Sequence, residues 1–195
     1  MTEISFKHIE SPLSAKAIED LHCGDCLLLS GVLYTARDAA HKRIHEALSN
    51  GIPLAFDLQG CTIYYAGPAP ASPGHVIGPA GPTSSYRMDA YTPLLLENGM
   101  KCMIGKGIRN QQVIESMVKN GAVYLGAVGG AAALIAKHIV SCELITYADL
   151  GTEAVYRLEV SDMPLIVLID RYGKNLYESG PKNALKELSK EPPCA

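Results

Sequence analysis

The sequence predicts a single α/β domain with mixed sheets and flanking helices, and three observations carry that expectation. Short apolar runs alternate with amphipathic stretches, Gly or Pro stands at most of the junctions, and no segment repeats another. A length of 195 residues with 48% hydrophobic and 19% charged side chains is enough to bury one core. The expected domain takes in 1–195, with its core over about 21–177 and a frayed, proline-bearing tail over 186–195.

The elements follow in order. Cys26-Leu27-Leu28-Leu29 begins a buried strand that runs to Ser30. Thr35 followed by Asp38 reads as a capping box, and Ala40, Ile44, Ala47 and Leu48 recur at helical spacing until Gly51. Thr62 to Ala66 is aromatic and β-branched, so it reads as a strand, with a second short one at Val76-Ile77 between proline-rich turns. Gly81 to Ser85 opens a second helix carrying Met88, Tyr91, Leu94 and Leu95, which Pro93 should kink or break before Asn98-Gly99. Cys102 to Ile104 is a strand ending at Gly105. A third helix covers Asn110 to Asn120, with Val113, Ile114, Met117 and Val118 inward, and Gly121 ends it.

Ala122 to Val128 reads as a buried strand, Gly129-Gly130 as a turn, and Ala131 to Val140 as a small-residue helix able to pack closely on a sheet. Ala154 to Val160 and Leu165 to Asp170 read as two strands, and Tyr172 to Asn175 as a hairpin turn into a strand at Leu176-Tyr177.

Composition excludes several classes of function. A formal net charge of -3 offers no basic field for a phosphate backbone or an anionic lipid surface, so nucleic acid is not expected as a partner. Met1 to Glu10 carries Glu3, Lys7, His8 and Glu10 and has no apolar core of a signal peptide. The most apolar stretch, Ala122 to Ala136, is too short and glycine-broken to span a bilayer. A cytoplasmic protein with reduced thiols is expected. Cys23 and Cys26 form one C-x-x-C with no second half at matching spacing, so burial is expected there in place of a metal or redox role.

The chemistry is expected where cations oppose helix physics. Arg37 stands at the start of the first helix, Arg87 soon after Thr83 at the start of the second, and Lys106 between two glycines ahead of the third. A helix N-terminus favours an anion by roughly 0.3 to 1 kcal/mol, so a cation there is unfavourable unless an anion joins it. Such an anion meets free N–H groups, the dipole and a guanidinium fork together, and two arginines suit a dicarboxylate. The structural alternative is that each Arg points to solvent or pairs with Asp38 or Asp89.

Thr83, Ser84 and Ser85 are N-cap candidates; a catalytic Thr83 would need an adjacent carboxylate, from this chain or another, to take its proton. His41 and His45 stand four apart but lack an H-E-x-x-H context, so they are expected as partly exposed surface or interface residues. Gly126 to Gly130 lacks the spacing of a dinucleotide loop and is expected to serve close packing.

Three ordered motifs carry a resemblance. Ser30-Gly31 with Thr35-Ala36-Arg37-Asp38-Ala39-Ala40-His41-Lys42-Arg43, then Gly81-Pro82-Thr83-Ser84-Ser85-Tyr86-Arg87-Met88, then Gly105-Lys106-Gly107 resemble the C-terminal domain, or separate beta subunit, of the class I fumarase and tartrate dehydratase family. The likeness spans about Leu21 to Tyr177. It implies a swivelling β/β/α domain and a partner alpha subunit that bears an oxygen-sensitive 4Fe-4S cluster on three cysteines, a set this chain does not show, in an alpha2beta2 assembly with self-association through this subunit. It implies that Arg37 and Arg87 clamp substrate carboxylates, that Lys106 adds positive charge, that Thr83 is the base, and that no metal binds here. The implied reaction is hydration of fumarate to L-malate, with the cluster's open iron as Lewis acid. L-tartrate and mesaconate are the alternative substrates, and a non-catalytic anion-binding scaffold is the alternative of another class.

Overall fold

The runs at Thr62–Tyr64, Cys102–Gly105 and Val123–Gly126 are buried on both faces and so read as continuous hydrophobic segments; they form the middle of one seven-stranded mixed sheet. The computed structural model describes residues 5–127 and 130–188, the last three by backbone alone. The strands are β1 (Phe6–Ser11), β2 (Cys26–Thr35), β3 (Thr62–Tyr64), β4 (Cys102–Gly105), β5 (Val123–Gly126), β6 (Ile139–Thr146) and β7 (Val155–Ile169). The helices are α1 (Ala15–Glu19), α2 (Asp38–Ser49), α3 (Thr92–Glu97), α4 (Gln111–Asn120), α5 (Ala132–Ala136) and α6 (Leu176–Leu188), with 3-10 turns at Ser85–Met88 and Ala148–Glu153.

β1, β2, β3, β4 and β5 run parallel in that order, while β7 lies antiparallel to β5, β6 and β2. The added β2–β7 pairing closes β2–β3–β4–β5–β7 into a ring, with β1 and β6 laid along it. Two cores follow from the period-two alternation of side chains. Tyr64, Cys102, Ile104, Val123 and Leu125 join Leu27, Leu29, Leu33, Leu158 and Val167 in one. Ile63, Met103 and Tyr124 face the other way, against Ala40 and Ile44 of α2, Leu95 of α3, and Val113 and Met117 of α4. Strand and helix starts near the candidate residues are therefore packed from beneath.

Several elements differ from expectation. The strand begun at Cys26 does not stop at Ser30 but continues to Thr35, pairing with β1, β3 and β7. Gly31 makes this possible: its φ is +101°, and a Cβ there would sit 2.2 Å from the carbonyl oxygen of Ser11. The capping box at Thr35 and Asp38 does not form. Arg37 is the N-cap of α2 and makes no side-chain capping bond. Thr35 Oγ1 instead donates to Ala154 O (3.4 Å) and accepts from Tyr156 N (3.1 Å), tying β2 to the start of β7.

The second helix does break as Pro93 demands, into the 3-10 turn and α3, whose first turn takes the proline. Val76-Ile77 is no strand; Ile77 is buried from a loop and Val76 is exposed. On α4, Asn110 caps Val113 N and Gly121 closes the helix in the left-handed region, but Val118 is exposed. The helix expected over Ala131 to Val140 ends at Ala136, and β6 begins at Ile139, its β-branched residues and cross-strand partners on β7 overriding the small-residue pattern. The two strands expected after Ala154 are one, β7. It bends at Asp162 (φ +50°), whose N–H donates to Ser30 Oγ, so the chain passes Met163-Pro164 without ending.

Tyr172 to Asn175 turns the chain as expected, but into α6 and not a strand. Residues ahead of Leu21 add β1 and α1, with Leu13 and Ile18 buried in the core. Val128, Gly129 and the tail from 189 onward lie outside the described residues. Among the described residues no helix is long and apolar enough to cross a membrane.

Candidate active site

The three candidate cations belong to segments that the sheet draws together. β2 delivers Arg37 to the start of α2, and β4 delivers Lys106 immediately past its last residue, Gly105. The segment bearing Thr83 and Arg87 is stitched beside β4: Thr83 N donates to Tyr65 O at 2.7 Å, Ser84 bridges Lys106, and Ser85 N donates to Lys106 O at 2.9 Å. Thr83 is half-buried, and Lys106 is exposed.

Both arginines approach one carboxylate. Arg87 Nη2 donates to Asp38 Oδ2 at 2.9 Å, and Arg37 Nη2 lies 4.0 Å from Asp38 Oδ1. Arg37 Nη2 also pairs with Glu153 Oε1 at 3.1 Å, while Glu153 Oε2 accepts from Ala39 N at 3.4 Å. Glu153 thus supplies the negative charge that the start of α2 favours, from 114 positions away. The two arginines are therefore compensated by acids of the chain itself, Arg87 pairing with Asp38 as the structural alternative allowed. Of the three cations expected at helix starts, Arg37 alone stands at one: Arg87 lies in the last turn of the 3-10 segment, and Lys106 follows β4 several residues ahead of α4. Arg37 Nε and Asp38 Oδ1 nevertheless remain buried without a hydrogen-bond partner. Gly67 lets the Arg37 side chain lie close, since a Cβ there would meet Arg37 Cδ and Thr152 O at 2.9 Å each.

His41 is fully buried, which corrects its expected surface position; His45 is half-buried, edge-on to Tyr91 at 5.7 Å. The His41 ring stands edge-on to Tyr65 at 5.1 Å, with Nδ1 2.9 Å from Arg37 O. A carbonyl can only accept, so Nδ1 carries the proton and Nε2 is left unpartnered. Burial lowers the pKa of His41 to about 4, against the opposing bond to Arg37, so the ring is neutral near pH 7.

Beneath Thr83 and Arg87 lies a buried ion pair that no spacing rule flagged. Arg109 Nε donates to Asp89 Oδ1 at 2.7 Å, Nη2 donates to Thr92 Oγ1 at 2.8 Å, and Nη1 reaches Tyr65 Oη at 3.3 Å. Its guanidinium stacks 5.3 Å from the Tyr65 ring and 5.2 Å from the Tyr124 ring. Burial works against its charge, yet Tyr65, Asp89 and Tyr124 hold its pKa above the ordinary value. Ser85 and Ser84 do not act as side-chain caps; Ser85 Oγ and Tyr124 Oη are 2.8 Å apart. The Tyr124 hydroxyl also donates to Gly107 O at 2.9 Å, and Gly107 N donates to Tyr177 Oη at 2.8 Å. A cleft of about 250 Å³ opens beside Lys106, lined also by Gly105, Gly126, Ala127 and Tyr177. A larger one of about 500 Å³, between the 72–79 loop and α5, holds none of Arg37, Arg87 or Lys106.

Among the described residues Cys61 and Cys102 are core residues whose thiols burial pushes up, Cys102 to about 12. Cys23, Cys26 and Cys142 are free and half-buried, so the full burial expected at Cys23 and Cys26 is corrected. Among the described residues no three His, Cys, Asp or Glu side chains group as a metal-ligand set. Gly126 packs as expected, since a Cβ there would fall 2.7 Å from Leu168 Cδ1.

Residues 2–180 match the family described as Fumarase C-terminus. The chain is 40% identical over 156 residues, 79% of its length, to Fumarate hydratase 2 of Leishmania major. It is 40% identical over 154 residues, 78% of its length, to the aerobic class I fumarate hydratase of Escherichia coli K12. Each alignment takes in 28% of the relative, so the chain spans little more than a quarter of those enzymes. A putative L(+)-tartrate dehydratase subunit beta of Methanocaldococcus jannaschii is 37% identical over 183 residues, covering 91% of this chain and 94% of that one.

Proposed function

The chain belongs to the fumarase C-terminus family, and from that premise we propose that it is the beta subunit of a two-subunit hydro-lyase that hydrates fumarate to L-malate. The observation that carries the reading is the approach of Arg37 and Arg87 to the single carboxylate of Asp38. Two guanidinium groups that already converge on one carboxylate are spaced to share another, and bidentate pairing orients as well as binds.

In this reading Arg37 and Arg87 clamp the substrate carboxylates and Lys106 stabilises the negative charge that develops on one of them as a proton leaves the neighbouring carbon. Thr83, held by its N–H to Tyr65, takes that proton once a carboxylate of the partner has accepted its own. In this reading a 4Fe-4S cluster sits on a partner alpha subunit; among the described residues no three His, Cys, Asp or Glu side chains group as a ligand set. An alpha2beta2 assembly, joined in part through this subunit and working in the cytoplasm, completes the reading.

A specific observation favours L-tartrate as the alternative substrate: a relative matched over 94% of its length is named a putative L(+)-tartrate dehydratase subunit beta. The test is to assemble the chain anaerobically with its cluster-bearing partner and assay fumarate, L-tartrate and mesaconate. Fumarate should give the highest kcat/KM, and the chain alone should be colourless and inactive. A brown, active preparation of this chain alone would overturn the two-subunit reading. A scaffold role would be supported instead if the assembled pair were equally active after loss of Arg87.

A further inference from the structure

Arg109 and Asp89 form the most deeply buried ion pair among the described residues, with side chains 0% and 8% exposed. Taking two charges out of water is unfavourable, and apolar residues of similar volume often serve stability as well or better. The pair is therefore poorly explained by stability alone, and its contacts show what it fixes. Every segment that bears Thr83, Arg87 or Lys106 is one bond from a group that Arg109 holds.

Tyr65, under the guanidinium, uses its main-chain oxygen to fix Thr83 N. Asp89, ligated by Nε, stands two residues beyond Arg87, and its second oxygen takes Asn110 N at 2.8 Å, locking that segment to the start of α4. Tyr124, on the guanidinium's other contact, holds Ser85 Oγ and Gly107 O; Ser85 N donates to the Lys106 carbonyl, and Gly107 follows Lys106 in the chain. Arg37 joins through His41, which packs on the same Tyr65 ring and touches the Arg37 carbonyl. A planar fork with donors in several directions can serve all these partners at once, and an ammonium cannot.

We infer that Arg109 is a positioning residue that sets the spacing of Thr83, Arg87 and Lys106 through Asp89, Tyr65 and Tyr124. The inference deepens the proposed function and rests on it for the identity of the reaction, but not for the geometry.

The test compares the wild-type chain, Asp89→Leu/Arg109→Met and Arg109→Lys, each assembled with the partner. Amide exchange by mass spectrometry and steady-state kinetics are read together. In both variants the Thr83, Ser85 and Gly107 amides should exchange at least about tenfold faster while Val113 to Met117 of α4 stay protected. The kcat for the dicarboxylate should fall about a hundredfold, the scale of a 1 Å misplacement, beyond any rise in KM. Arg109→Lys keeps the charge and decides the matter if the double variant does not fold. Unchanged local exchange, or a uniform loss of protection that includes α4, would overturn the inference and leave a purely structural pair. If the wild-type assembly hydrates none of the three substrates, the proposed function fails, while the exchange pattern still decides the role of Arg109.

Discussion

Arg87 Nη2 donates to Asp38 Oδ2 at 2.9 Å, across 49 positions of sequence, so the start of one helix is tied to the candidate clamp of another. Asp38 holds the guanidinium in place without enclosing it, since the Arg87 side chain remains 39% exposed. In the assembled enzyme, Arg87→Ala should raise KM and lower kcat. Loss of a hydrogen bond to a charged group, worth about 1.5 to 3 kcal/mol, corresponds to about tenfold to a hundredfold in kcat/KM. Cys26→Ser should leave both constants within about threefold, as a surface-like substitution does. Steady-state kinetics of the two variants check this, and equally mild effects would remove the clamp.

Thr83→Val should cut kcat by about a hundredfold or more, the usual range for a lost proton-transfer group, with little change in KM. Thr83→Ser keeps the hydroxyl and should retain most of the turnover. A valine variant that turns over at the wild-type rate would leave Thr83 with only its main-chain bond to Tyr65.

Gly105→Ala tests the close approach at the end of β4. A Cβ there would lie 2.1 Å from Ser85 Oγ and 3.0 Å from Tyr65 Cδ2, so the segment bearing Thr83 and Arg87 must shift. Overpacking of this kind costs about 1 to 3 kcal/mol. A lower melting temperature together with reduced kcat is expected from thermal scans and assays; a variant matching the wild type in both would show that the segment yields freely.

His41 makes stability depend on pH. Burial lowers its folded pKa to about 4 from 6.5, so below the unfolded value the unfolded chain binds the proton first. The stability it contributes is fully present above pH 6.5 and is lost as pH falls toward and through 4, reaching about 3 kcal/mol by pH 4. Urea unfolding of the wild type and His41→Gln at pH 7.5 and pH 4.5 should show a smaller decline for the glutamine variant. Parallel declines would mean that the ring is charged in the folded protein.

Local signals in the chain determined a good part of this. Apolar runs located β4, β5 and the start of β2, helical spacing located α2 and α4, and Pro93 correctly divided the second helix. Arg37, Arg87 and Lys106 stood out because a cation expected at a helix start breaks a local rule of helix electrostatics, although only Arg37 occupies such a start in the fold. Where local signals misled, a distant partner was the cause. Thr35 caps nothing because Ala154 and Tyr156 take its hydroxyl, and β7 stays one strand because Ser30 bridges the bend at Asp162.

The tertiary structure alone decided which of the candidates meet. His41 becomes buried and Arg109 finds Asp89, Tyr65 and Tyr124 only once α2, α3 and α4 pack on one face of the closed strand ring. Spacing along a chain fixes which side chains share a helix face or strand face, because backbone periodicity is local. Which carboxylate stands opposite which guanidinium depends on strand pairing between segments far apart, and that is set by the packing of the whole core.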